Sequence, residues 1–360
     1  MRGHTYAVYG VAFFNDGHRA VTGSEKTLRI WNVQKGTLLG EPLQGHQGNV
    51  FSVAISPDDK RIASGGQDNT VIIWDVERKQ IVFKLVKHTR DVNCVCFSPD
   101  GKRLASGSYD GTATVIWDTK TGAVLTTLEG FLVLSVAFSP DGLKLATSSL
   151  DGIIQVCRTN NTELLLEFKA HTSGVYGIEW SRDGQQLISA SNDNTVRFWN
   201  SSTGCQVGQP CTGHTHWICS LAIVSDGSFI ATASYDKTVR VWSTKTHQQI
   251  GQPLEHSNAV QCVAISTNGG LLASGAWDGN LYLWSIGNTL QRQDGQEGYK
   301  EELQVKQQPR ISEVVSLQVL LFYHISRGES RQGVLPTPPA EVSALRSHCN
   351  GGSFIPTPTR

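Results

Sequence analysis

One period governs this chain. Trp31, Trp74, Trp117, Cys157, Trp199, Trp242 and Trp284 each close a short apolar run such as Val71-Ile72-Ile73-Trp74, at successive spacings of 43, 43, 40, 42, 43 and 42 residues. Seven copies therefore fill Gly3 to about Ile286 of the 360 residues. Inside a copy, Val50 to Ile55 leads into Ser56-Pro57-Asp58-Asp59, where proline presets φ and aspartate caps the turn through its side chain. Arg61 to Ser64 then precedes a tight turn at Asp68-Asn69, and Thr70 to Trp74 and Gln80 to Leu85 follow. Four short strands per period make one antiparallel sheet. Many of these strands are apolar on nearly every residue, which requires burial on both faces, so the sheets must stack and a closed ring protects their edges. No helix of ordinary length is expected before residue 288.

Five copies carry histidine and aspartate 22 residues apart: His46 with Asp68, His88 with Asp110, His171 with Asp193, His214 with Asp236, and His256 with Asp278. Ser64, Ser106, Ser189, Thr232 and Ser274 stand four residues before each aspartate, and Trp74, Trp117, Trp199, Trp242 and Trp284 follow it. Met with once, such a set would suggest a hydrolase triad. Met with five times, it argues for architecture, because an enzyme needs one site.

A Gly-His early in the copy (Gly3-His4, Gly45-His46, Gly213-His214) and a Trp-Asp-like pair late in it (Trp74-Asp75, Trp117-Asp118) resemble the WD40-repeat, or β-transducin-like, family. The near-identity of the copies is similar to fungal-type WD40 arrays. The resemblance implies an all-β, seven-bladed WD40 β-propeller of four-stranded antiparallel blades over residues 1–287. An irregular C-terminal tail, 288–360, is expected to be mostly disordered. It also implies that the recurrent His, Ser or Thr, Asp and Trp form a hydrogen-bonded tetrad within each blade. The chemistry fits: indole only donates, ionised aspartate only accepts, and hydroxyl and imidazole relay between them.

Three copies depart from the rule. Copy 4 has Cys157 for Trp, keeps Thr147 and Asp151, and has no His because Gly130 to Val133 is two residues short. In copy 1 the second turn is one residue short and Glu25 takes the aspartate slot, where its longer side chain is expected to make up the distance. Copy 3 has an extra residue between Gly111 and Ile116, for which a β-bulge is the simplest accommodation. Only Met1 and Arg2 precede Gly3-His4, and polar residues follow Leu290, so blade 7 is expected to have three good strands and a weak closure onto blade 1. The apolar stretch Val314 to Ile325 is a candidate strand for that edge, although irregular packing is the simpler expectation.

In the family, two positions on one rim, the residue that opens the first strand and the residue before the tetrad acid, often contact partners. Here these positions and their neighbour carry Tyr9, Phe51, Tyr109, Tyr176, Trp217, Tyr235 and Trp277, residue types enriched at interface hot spots. Few Lys or Arg share the rim, and 31 basic residues balance 31 acidic ones, which argues against nucleic acid. Val314 to Ile325 falls short of the roughly 20 residues of a membrane span, and no secretory signal or Cys-x-x-Cys pair is visible. The expectation is a non-catalytic scaffold or adaptor for protein or peptide partners, a subunit of a multiprotein complex. It should need no cofactor and no metal, and work inside the cell, in the cytoplasm rather than the nucleus. The alternative is a ligand-sensing or substrate-receptor module of a larger complex, such as a ubiquitin ligase, for which Trp117-Asp118-Thr119-Lys120 is a weak signal.

Overall fold

A computed structural model of the chain describes residues 1, 3–111, 114–130 and 132–286. The expected tail, and Val314 to Ile325 within it, lie outside the described residues. Every regular element among the described residues is a β-strand. Blades 3 to 6 are four-stranded antiparallel sheets in simple chain order, as in Val175–Trp180, Gln186–Ser191, Val196–Asn200 and Gln206–Cys211 of blade 5. The second and third strands are buried on both faces, whereas outer strands such as Gln80–Val86 are largely exposed. This gradient is the one expected for sheets stacked face to face.

Blades 1 and 2 share a strand. Leu43–Ile55 begins as the outer strand of blade 1, with Thr27 paired to Gln44 and Leu28 to Leu43, and continues as the first strand of blade 2, with Val53 paired to Ser64. The first strands lie side by side around the ring, and that of blade 1, Gly10–Phe13, packs beside both Leu43–Ile55 and Val260–Ile265 of blade 7. Blade 7 has three strands among the described residues. The seam expected to be weak is closed by Val8, Val11 and Trp31 packed against Cys262, Ala273 and Leu281. Met1 lies along the third strand of blade 7 and exchanges both backbone hydrogen bonds with Leu281, at 2.6 and 3.0 Å.

Six first strands carry a bulge at one shared place. In blade 2, Val50 pairs with Gly66 and Ser52 with Gly65, leaving Phe51 out of register. The same slip leaves out Asn93, Leu134, Tyr176, Cys219 and Gln261. A bulge turns one side chain out of the pleat, and here it does so at the residue that opens each first strand.

Two local expectations are corrected. The extra residue of blade 3 is not taken up by a bulge: pairing from Arg103 with Asp118 to Gly107 with Thr114 runs without a shift, so the connection between those strands is one residue longer. Glu25 does not reach His4. It lies in the third strand of blade 1, where its carboxylate accepts from the Thr5 hydroxyl at 3.0 Å, because the shortened turn brings it into the strand.

The turns test the backbone geometry. Gly152 has φ +75°, and a Cβ there would stand 2.4 Å from the His171 carbonyl oxygen and 2.6 Å from that of Ser173. Gly111 has φ +77° with open space around it. Gly111→Ala is expected to cost only the left-handed conformation, about 1–2 kcal/mol, and Gly152→Ala clearly more; equal losses in denaturant unfolding would contradict the backbone contact.

Candidate functional site

Four blades bring the full tetrad together. In blade 2, the Trp74 indole donates to Ser64 Oγ at 2.9 Å, Ser64 lies 2.7 Å from His46 Nε2, and His46 Nδ1 lies 2.9 Å from Asp68. Blade 3 repeats this with Trp117, Ser106, His88 and Asp110, blade 5 with Trp199, Ser189, His171 and Asp193, and blade 6 with Trp242, Thr232, His214 and Asp236. The donors and acceptors allow one consistent direction: indole N–H to hydroxyl oxygen, hydroxyl O–H to Nε2, and Nδ1–H to carboxylate. This assigns a neutral imidazole with its proton on Nδ1. The aspartate also accepts a backbone amide of the incoming loop, such as Gln47 or Thr215, and so fastens that loop to the second turn.

The electrostatics agree. Burial holds His88, His171 and His214 below the usual histidine value despite the opposing pull of their aspartates. Burial also works against the charge of Asp68, Asp193 and Asp236, but the hydrogen bonds from histidine, threonine and backbone outweigh it and hold these carboxyls well below the usual range. The hydroxyl is buried, and the arrangement offers no exposed nucleophile.

Blade 7 differs from the expected tetrad. Trp284 donates to Ser274 and Ser274 meets His256, but His256 Nδ1 donates to the Leu254 carbonyl at 3.0 Å rather than to Asp278. Asp278 accepts instead from Tyr282 at 2.5 Å and from Ser257 at 3.0 Å. Two substitutions account for this. Tyr282 stands where blade 2 has Ile72, and Asn280 replaces the threonine (Thr70, Thr195, Thr238) whose hydroxyl holds the aspartate in blades 2, 5 and 6. In blade 1, His4 meets Thr22 at 2.7 Å and Trp31 donates to Thr22 at 2.8 Å, completing three members of four. In blade 4, Cys157 and Thr147 are buried while Asp151 is exposed.

The seven rim aromatics are all partly buried, none fully covered. Tyr9 meets Phe51 edge-on at 5.4 Å between ring centres. Tyr235 contacts both Trp217 and Trp277 at 5.9 Å, and the Trp277 indole donates to Gln261 at 3.0 Å. Tyr109 of blade 3 lies against Tyr176 of blade 5, across blade 4 with its shortened loop. Burial raises all four tyrosine hydroxyls, and Tyr235 feels both Tyr176 and Tyr9. Blades 3 and 5 thus meet through Tyr109 and Tyr176, on the side of the ring where the incoming loops lie and, by the order of the innermost first strands, at the entrance to its centre. Bulges present Phe51 and Tyr176 there. His216, stacked 5.8 Å from Tyr235, joins the group although the sequence reading passed it over. Its signal was its place beside Trp217 in the incoming loop.

A second missed residue lies deeper. Glu179 is on the first strand of blade 5, partly exposed, and burial pushes its carboxyl up to about 7. The signal was a repeat column that is small in every other blade. On the opposite face, a cleft of about 550 Å³ is lined by Arg182, Asp183, Asp226 and Lys245 among others, with mixed charge and no aromatic ring. Among the described residues no cluster of His, Cys, Asp or Glu could hold a metal, and no helix is long and apolar enough to cross a membrane.

Comparison with known proteins places this geometry. The family model described as IFT122 first beta-propeller matches residues 7–204, more than half of the chain, and the WD domain, G-beta repeat model matches 205–243 and 248–285. Among curated relatives, WD repeat-containing protein 1 of Gallus gallus is 28% identical over 119 residues, 32% of this chain and 20% of that protein. Denticleless protein homolog A of Xenopus laevis is 38% identical over 68 residues, 19% of this chain and 9% of that protein. Cell division cycle 20.1, cofactor of APC complex, of Arabidopsis thaliana is 49% identical over 35 residues, 10% of this chain and 8% of that protein. The chain thus spans a small part of the length of each relative.

Two outcomes are expected. Because the buried histidines His4 (about 3), His88, His171, His214 and His256 titrate below their unfolded value, the unfolded chain takes up protons first as pH falls. Glu179, raised to about 7, works the other way and favours the folded state as pH falls, but five histidines outweigh one carboxyl: thermal stability should decline from about pH 6.5, and decline further below about pH 4 as the tetrad aspartates lose their advantage; a maximum near pH 5 in melts across pH 4–8 would contradict this. Asn280→Thr with Tyr282→Ile should let Asp278 return to His256 and raise the melting midpoint by about 2–4 °C, the shift that about 1 kcal/mol gives in a domain of this size; calorimetry showing a lower midpoint would refute that account of blade 7.

Proposed function

The chain belongs to the WD40-repeat β-propeller family, and on that premise we propose that it is a non-catalytic scaffold or adaptor that grips a segment of a partner protein at the aromatic mouth of its channel. The observation that carries this reading is the grouping of partly exposed rings on the incoming loops and bulges: Tyr9 with Phe51, Tyr109 with Tyr176, and Tyr235 with Trp217 and Trp277. Large, stiff, amphipathic rings bury much area at little entropic cost, and they pack well against an extended chain. The tetrads support the same role from the other side, since in blades 2, 3, 5 and 6 their histidine and aspartate fasten the incoming loops. Membership of a complex fits this surface. In the segment Trp117-Asp118-Thr119-Lys120, the weak signal for the substrate-receptor alternative, Asp118 caps its own turn, accepting the amides of Lys120 and Thr121 at 3.0 and 2.7 Å through Oδ1.

The test is affinity capture from cell lysate with cross-linking, comparing the full chain with a Tyr235→Ala/Trp277→Ala variant. The variant should lose the captured partner while keeping its β-sheet circular dichroism and a cooperative melt. Undiminished capture by a folded variant, or cross-links confined to the opposite face, would overturn the proposal.

A further inference from the structure

One column of the repeat carries a charge that the fold does not use. On the first strands, Ala12, Ala54, Cys96, Ala137, Ala222 and Ala264 occupy the register position that faces the second strand at Val21, Ala63, Ala105, Ala146, Ala231 and Ala273. In blade 5 the same position is Glu179, opposite Ile188. Glu179 is the fifth of the six residues of the innermost strand of blade 5, next to the end that turns into Ser181; the blade is packed on both faces, so the partly exposed side chain opens on the channel. Its charge is felt by Cys96 in blade 3, two blades away, which also requires proximity to the lumen. Among the described residues no basic side chain pairs with it. Six blades close with a small residue at this level, so Glu179 is not required by packing, and a carboxylate buried without a counter-charge costs stability.

Tyr176, a member of the mouth, lies three residues above Glu179 on the same strand, or roughly 10 Å at the usual rise of a β-strand. An extended lysine or arginine projecting down from a segment held at the mouth would meet the glutamate within their combined reach. On the way its cation passes ring faces that attract positive charge. We propose that the channel of this protein admits the side chain of one lysine or arginine of the partner segment and pairs it with Glu179. This rests on the reading of the mouth as the partner-binding surface.

The probe is the capped pentapeptide acetyl-Ala-Leu-Arg-Leu-Ala amide, with lysine, norleucine or glutamate in place of the arginine, titrated calorimetrically into the full chain. The arginine and lysine probes should bind about tenfold or more tighter than the norleucine probe, as expected for a desolvated charge pair, and the glutamate probe weakest. Glu179→Ala, which restores the residue most blades carry, and Glu179→Gln should erase that preference while their melting midpoints stay level or rise. Equal binding of arginine and norleucine probes, an unchanged preference in Glu179→Ala, or no binding of the cationic probes overturns the inference. If the preference is absent but Tyr235→Ala/Trp277→Ala still removes binding of the norleucine probe, the mouth reading survives and only the role of Glu179 fails. If that double variant binds every probe as the unmodified chain does, the mouth reading itself fails.

Discussion

A four-stranded sheet that is apolar on both faces has no stable existence by itself. Everything else in this protein follows from that constraint. Each blade must be sandwiched by two others, and a row of such sheets has two uncovered ends unless it bends into a ring. The second and third strands of the blades are buried for this reason, and the closure between Val8, Val11, Trp31 and Cys262, Ala273, Leu281 matters as much as any interior packing. The tetrads solve the problem that the ring then raises, which is how to hold polar incoming loops over an apolar stack. Each one converts a Trp, a hydroxyl, a His and an Asp into a fully satisfied chain running from the buried third strand to the surface.

The same loops make the mouth. The bulge that takes Phe51 and Tyr176 out of register is a departure from ladder geometry repeated in six blades, and it takes one side chain per blade out of the pleat. What the chain places there is what differs between copies: aromatic in blades 2 and 5, and Asn93, Leu134, Cys219 and Gln261 in the other four. Structure is thus specified by what the copies share, and recognition by what they do not.

The fold and its repeat were legible in the sequence because the period and the columns report burial and turn chemistry directly. The tetrad columns could be read too, since donor and acceptor types recur at fixed spacing. Blade 7 was misread because the competitor for Asp278 is Tyr282, a strand residue whose column holds Ile72 and Val115 in blades 2 and 3 and Arg29, Gln155, Arg197 and Arg240 in the others, none of which donates to the tetrad acid. Glu25 was misread because a shorter turn changes where a side chain points, not only how far it reaches. The extra residue of blade 3 could have gone into a strand or a turn, and only the register of Gly107 against Thr114 decides. Glu179 was visible as an exception in a column of small residues, but its meaning depends on the strand being innermost, which no single copy reveals.

The strand Leu43–Ile55 belongs to two sheets. Blades 2 and 3 are joined by a connection between Val86 and Val92, and blades 5 and 6 by one between Cys211 and Ile218, where the chain leaves one sheet before it starts the next. Between blades 1 and 2 the chain never leaves the sheet, so the two are welded rather than linked. A ring with one welded joint does not breathe evenly. Strain on the ring therefore falls on the looped seams before this joint, and Tyr9 and Phe51 keep a fixed spacing above it.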